Sequence, residues 1–136
     1  MSGEGPAQKR PGYVLLVEDD HEIRETIADL LTDDGYEVAQ AENGRVALDH
    51  LLAQDTPPDL ILLDLMMPVM AGGEFVLELA KHTKLRTVPV VVISAHLGSF
   101  AQRSAYECLP KPFSTQRLRE VVARYCMRPR AASSKG

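Results

Sequence analysis

Apolar positions along the chain follow two rhythms. Tyr13–Val17, Leu60–Leu63 and Val88–Ile93 are unbroken apolar runs, too short for helices, and read as strands covered on both faces. Between them the spacing changes. Ile23, Ile27, Leu30 and Leu31 fall at i, i+4, i+7 and i+8, one face of a helix. Val46, Ala47, Leu48, Leu51 and Leu52 mark a second helix, and Phe75, Val76, Leu79 and Ala80 a third. Leu118, Val121, Val122 and Tyr125 mark a last helix within Ser114–Met127. Tyr36–Ala39 and Glu107–Leu109 read as two weaker strands, and the faintly patterned Ala95–Tyr106 as a short helix.

Punctuation agrees with these periods. Asp19 or Asp20 can cap the first helix and Gly35 suits its C′ position. Asn43–Gly44 is a turn into the second helix, which Pro57–Pro58 closes off. Pro89 is tolerable only near the first residue of its strand. Residues 1–11 and 129–136 are polar and read as flexible tails, leaving one folded domain over 12–128. Five strands alternating with five helices predict an α/β protein, a doubly wound parallel sheet with helices on both faces. The strand order 2-1-3-4-5 places a switch point between strands 1 and 3.

Composition narrows the picture. A chain of 136 residues, 45% hydrophobic and 25% charged, can bury a core without a disulfide or structural metal. Cys108 and Cys126 have neither disulfide-framework density nor metal-ligand spacing and read as reduced thiols of a cytoplasmic protein. The N-terminal stretch lacks the apolar core of a signal peptide, and no run approaches the ~20 residues of a membrane span. Charge is unevenly spread: residues 1–64 carry 15 acids and 4 bases, residues 65–136 carry 4 acids and 11 bases. Without Trp, and without aromatics interleaved among the bases, a nucleic-acid stacking platform is not expected. The bases Arg117, Arg119, Arg124, Arg128 and Arg130 read as a solvated helix face and tail, or as a docking surface for an acidic partner. His21, His50, His82 and His96 lack ligand spacing and are expected to face solvent.

In open α/β sheets ligands bind beyond the carboxyl ends of the strands. Strand 1 ends in Glu18-Asp19-Asp20, strand 3 in Asp64, strand 4 in Ser94 and strand 5 in Pro110-Lys111-Pro112, whereas strand 2 ends in the unremarkable Gln40-Ala41. Carboxylates brought together repel unless a cation relieves them, and an all-oxygen set suits Mg²⁺. A carboxylate beside Mg²⁺, an ammonium and a hydroxyl is equipped to accept a phosphoryl group. Asp64 is the expected nucleophile, with Ser94 and Lys111 on the phosphoryl oxygens.

The stretches VLLVEDD (14–20), PDLILLDLMMPVMAGGEF (58–75), VVVISA (90–95, followed by His96) and LPKPF (109–113) resemble the receiver domain of two-component response regulators, here read as single-domain and flavodoxin-like. The resemblance spans about 12–127. It implies that Glu18 and Asp19 are the acid pair, Asp19 binding metal directly; that Asp64 is the phosphoacceptor; and that the Met66 carbonyl completes the protein's metal ligands. It further implies Ser94 as switch hydroxyl, Lys111 as phosphate-binding lysine, and a cis Lys111–Pro112 bond. The implied partners are a sensor histidine kinase or histidine phosphotransfer protein, and a downstream protein contacting a face made by the fourth helix, strand 5 and the last helix. Neither nucleic-acid contact nor membrane insertion is expected, nor turnover beyond slow self-dephosphorylation, nor an output domain after the last helix. The chain departs from the family pattern in three places. Ser94 to Lys111 spans only 17 residues, which implies a shortened fourth helix. Cys108 stands where an aromatic residue is usual, and Ala71 where an Asp often precedes Gly72. Met66 and His96 are expected near the site mouth, where an apolar Met66 would slow hydrolysis by excluding water.

A phosphorylation-independent interaction module on the same fold is the alternative function. An Asp-nucleophile phosphatase of the haloacid-dehalogenase kind would need an acid at position 66. A flavin carrier would need a hydroxyl-rich loop after strand 1, where acids stand. Gly72-Gly73-Glu74-Phe75 resembles the GG(D/E)EF signature of diguanylate cyclases but lacks one acid, and a helix-entry glycine pair explains it better.

Overall fold

The computed structural model describes residues 12–65, 72–95 and 106–126. Five parallel strands, β1 (Tyr13–Val17), β2 (Glu37–Ala41), β3 (Leu60–Asp64), β4 (Val90–Ser94) and β5 (Glu107–Pro110), form one sheet in the order β2-β1-β3-β4-β5. Helices α1 (His21–Asp33), α2 (Gly44–Ala53), α3 (Gly72–Ala80) and α4 (Thr115–Tyr125) complete the described elements. The helix expected within 95–106 and both expected tails lie outside the described residues.

Alternation along the central strands explains why they are wholly apolar. Leu15, Val17, Ile61, Leu63, Val90 and Val92 face one core layer, shared with Leu48 and Leu51 of α2 and Phe75 and Leu79 of α3. The residues between them, Val14, Leu16, Leu60, Leu62, Val91 and Ile93, face the other, with Ile27 and Leu31 of α1 and Leu118, Val121 and Val122 of α4. Each such side chain contributes about 1.5–3 kcal/mol relative to exposure. The edge strands β2 and β5 are only partly covered and are correspondingly more polar.

Several boundaries differ from the sequence reading for local reasons. The second strand begins at Glu37 because Gly35 and Tyr36 still belong to the exit of α1. Gly35 adopts φ 98°, its N–H donates to Thr32 O, and the Tyr36 N–H donates to Leu31 O. This is a Schellman closure, and it needs a residue free to enter the left-handed region. Strand β4 starts at Val90, since Pro89 has no N–H and Val88 turns back to bond Leu85 O. Asp20, Asn43 and Ser114 cap α1, α2 and α4 through their side chains. Gly72 opens α3, as a helix-entry glycine pair requires. The Lys111–Pro112 bond is cis.

Candidate functional site

Register brings four strand ends to one edge. Val17 pairs with Leu63, Asp64 with Ile93, and Ser94 with Pro110, so Glu18, Asp64, Ser94 and Lys111 all emerge at the carboxyl edge of the sheet. Glu18, Asp19 and Asp64 each offer an oxygen, and these atoms lie within 4.8 Å of one another. Lys111 Nζ stands 2.9 Å from Glu18 Oε1 and 3.7 Å from Asp64 Oδ2. Ser94 is buried at the end of β4, and its carbonyl accepts from the Lys111 N–H at 2.9 Å. Five of the six sequence-derived site residues thus meet at this edge; the sixth, Met66, lies outside the described residues, as does His96.

The three acids are not equivalent. Glu18 is 1% exposed, with Oε1 engaged by Lys111 and Oε2 accepting from the Asp20 N–H at 3.2 Å. Asp64 is buried, and Asp19 is exposed. One ammonium against three carboxylates leaves negative charge uncompensated, and every donor is a hard oxygen. That set fits Mg²⁺, whose octahedron spans roughly 4.2 Å between opposite ligands.

Three groups escaped the sequence reading. Arg24 Nη1 donates to the Glu18 carbonyl at 2.9 Å and Nε to Gln40 Oε1 at 3.3 Å, so the strand end passed over as unremarkable adjoins the site. A signal existed: long side chains on helices lean toward the N-terminus, here toward three acids. Arg117, Arg119 and Arg124 of α4 are exposed, as expected of a solvated face, but each is also paired. Arg124 donates to both Glu107 oxygens at 2.9 and 2.6 Å, and Arg119 to Asp34 at 2.9 Å. Arg117 adds a 4.0 Å contact to Glu107. The Arg124 bond holds the Glu107 carboxyl below its usual value; partial burial opposes this, and the Tyr125 hydroxyl, donating at 2.7 Å, assists it. Burial pushes the neighbouring Cys108 thiol up, with Glu107 adding to the effect. His50 is half-buried and bonded through Nε2 to the Tyr13 hydroxyl at 2.5 Å, rather than facing solvent. This pair lies at the opposite edge of the sheet.

The chain belongs to the response regulator receiver domain family, whose model matches residues 14–123. It is 38% identical over 123 residues to a probable transcriptional regulatory protein of Picosynechococcus, covering 82% of this chain and 46% of that protein. Among solved structures, Vibrio cholerae chemotaxis protein CheY4 matches with TM-score 0.77 and 30% identity, over 85% of this chain and 98% of that one. The receiver domain of sensor histidine kinase PA1611 from Pseudomonas aeruginosa, with magnesium coordinated in its active-site cleft, matches with TM-score 0.76 and 27% identity, over 85% and 97%. The chain spans about half or less of the length of the curated relatives it matches. Among the described residues no helix is long and apolar enough to cross a membrane.

Proposed function

We propose that this receiver accepts a phosphoryl group on Asp64 from a phosphohistidine of a sensor histidine kinase or histidine phosphotransfer protein, in the cytoplasm and with Mg²⁺ bound. The observation that carries this reading is the meeting of Glu18, Asp19 and Asp64 oxygens within 4.8 Å, with the Lys111 ammonium against two of the three residues.

An Asp64 carboxylate oxygen attacks phosphorus. The new P–O bond forms as the P–N bond to the donor imidazole breaks, and the electron pair stays on the imidazole nitrogen. The products are an aspartyl phosphate and a free histidine. Lys111, tethered to Glu18, stands close enough to Asp64 to neutralise charge on a transferred oxygen. Ser94, one residue beyond the partner of Asp64 on β4, supplies a hydroxyl to another. Glu18, Asp19 and Asp64 would hold the metal; the Met66 carbonyl, a further ligand implied by the family resemblance, lies outside the described residues. When bound, Mg²⁺ supplies charge neutralisation on the phosphoryl oxygens. The domain acts as a switch that dephosphorylates slowly, rather than as an enzyme with turnover.

Phosphorylation adds about −1.5 to −2 charges at neutral pH. Ser94 and Lys111 then move toward the new oxygens, and β5 moves with Lys111. The affected face includes β5 and α4, and contacts a downstream protein. A beryllofluoride titration followed by amide NMR tests the reading. Mg²⁺-dependent shifts at Asp64, Ser94 and Lys111 that extend to β5 are expected. No Mg²⁺-dependent binding would instead favour the phosphorylation-independent module.

A further inference from the structure

We infer that Arg24 is a positioning residue for the metal-binding acid pair, an inference that rests on the Mg²⁺ reading above. The peptide joining Glu18 to Asp19 decides where the Asp19 carboxylate points. That segment is gripped from both sides: the Glu18 N–H donates to Ala41 O at 3.0 Å, and the Glu18 carbonyl accepts from Arg24 Nη1 at 2.9 Å. The guanidinium is itself braced. Nε donates to Gln40 Oε1 at 3.3 Å and Nη2 to His21 Nδ1 at 3.1 Å. Arginine has no acceptor, so His21 must accept here. Arg24 therefore ties the β1–α1 corner to the end of β2, and the planar fork sets direction as well as distance.

Glu18 is already fixed by burial and by Lys111, but Asp19 is exposed. Its placement depends on the peptide before it. Releasing that peptide lets the Asp19 carboxylate swing, and binding must then order it at a cost in affinity. The charge of Arg24 acts in the opposite sense. Removing a cation from beside the acids would by itself tighten Mg²⁺ binding. The sign of the change therefore separates positioning from charge.

Calorimetric titration of the whole chain with MgCl₂ tests this, using wild type, Arg24→Ala, Arg24→Lys and Gln40→Leu, with thermal unfolding in EDTA run alongside. Arg24→Ala is expected to raise the Mg²⁺ Kd about tenfold, typical of losing a group that orients a ligand. Arg24→Lys should recover part of that loss through one remaining donor. Gln40→Leu, on the exposed edge, should raise Kd by a smaller factor without lowering the metal-free Tm. Should Arg24→Ala unfold, the other two variants decide. Wild-type binding with unchanged or tighter Kd in the variants overturns the positioning role. No binding by wild type overturns the Mg²⁺ reading itself, and this inference with it.

Discussion

Lys111 and Glu107 lie four residues apart and illustrate two uses of an ion pair. Lys111 is one-fifth exposed and meets a Glu18 carboxylate that is almost fully buried, so the pair sits where water screens poorly. Its position beside Asp64 made it legible in the sequence, since a lysine held between two prolines at a strand end is unusual. The Glu107 clamp was not legible, because Arg124 is 17 positions away and only the packing of α4 on β5 brings the two together. Its pH dependence has a definite sign. The folded pKa lies below the ordinary 4.5, chiefly through the Arg124 bond. The stabilisation is therefore complete above the unfolded value and is lost as pH falls through the folded one. Thermal unfolding of wild type and Glu107→Gln should show a gap near neutrality that narrows once pH drops below about 4.5. A gap independent of pH would show that the clamp does not stabilise the fold through ionisation.

At the scale of elements, apolar runs revealed β1, β3 and β4, because strands buried on both faces leave no polar positions to blur the pattern. The edge strands were harder to delimit. β2 was expected to start at Tyr36, whose aromatic side chain is buried against α1, α4 and the sheet, but whose backbone closes the helix instead. Gly35 is the residue that makes this exit possible, at φ 98°. Gly35→Ala is expected to lower stability by about 1–2 kcal/mol, the cost of a Cβ in the left-handed region. Chemical denaturation with an unchanged slope and a lower midpoint would confirm it. An unchanged midpoint would mean that α1 can end another way. The contacts of Arg24 with Glu18 and Gln40 were unreadable for a related reason: they depend on how the end of β2 approaches the β1–α1 corner, which no periodicity encodes.

Across the whole molecule, the charge asymmetry of the sequence acquires a purpose. The acidic first half supplies Glu18, Asp19 and Asp64, and the basic second half returns Lys111 to them; Arg119 likewise reaches Asp34. The order β2-β1-β3-β4-β5 makes this possible by putting β3 between strands from both halves. Glu18 and Lys111, 93 positions apart, thereby share one edge of the sheet, and Asp64 is the acid placed closest to its centre. Incubation with a small-molecule phosphodonor and Mg²⁺, followed by intact mass, asks whether that position receives the phosphoryl group. Wild type should gain the mass of one phosphoryl group, only with Mg²⁺ present, while Asp64→Ala should gain none. Equal gain by both proteins, or none by wild type with Mg²⁺ bound, would contradict phosphotransfer to Asp64.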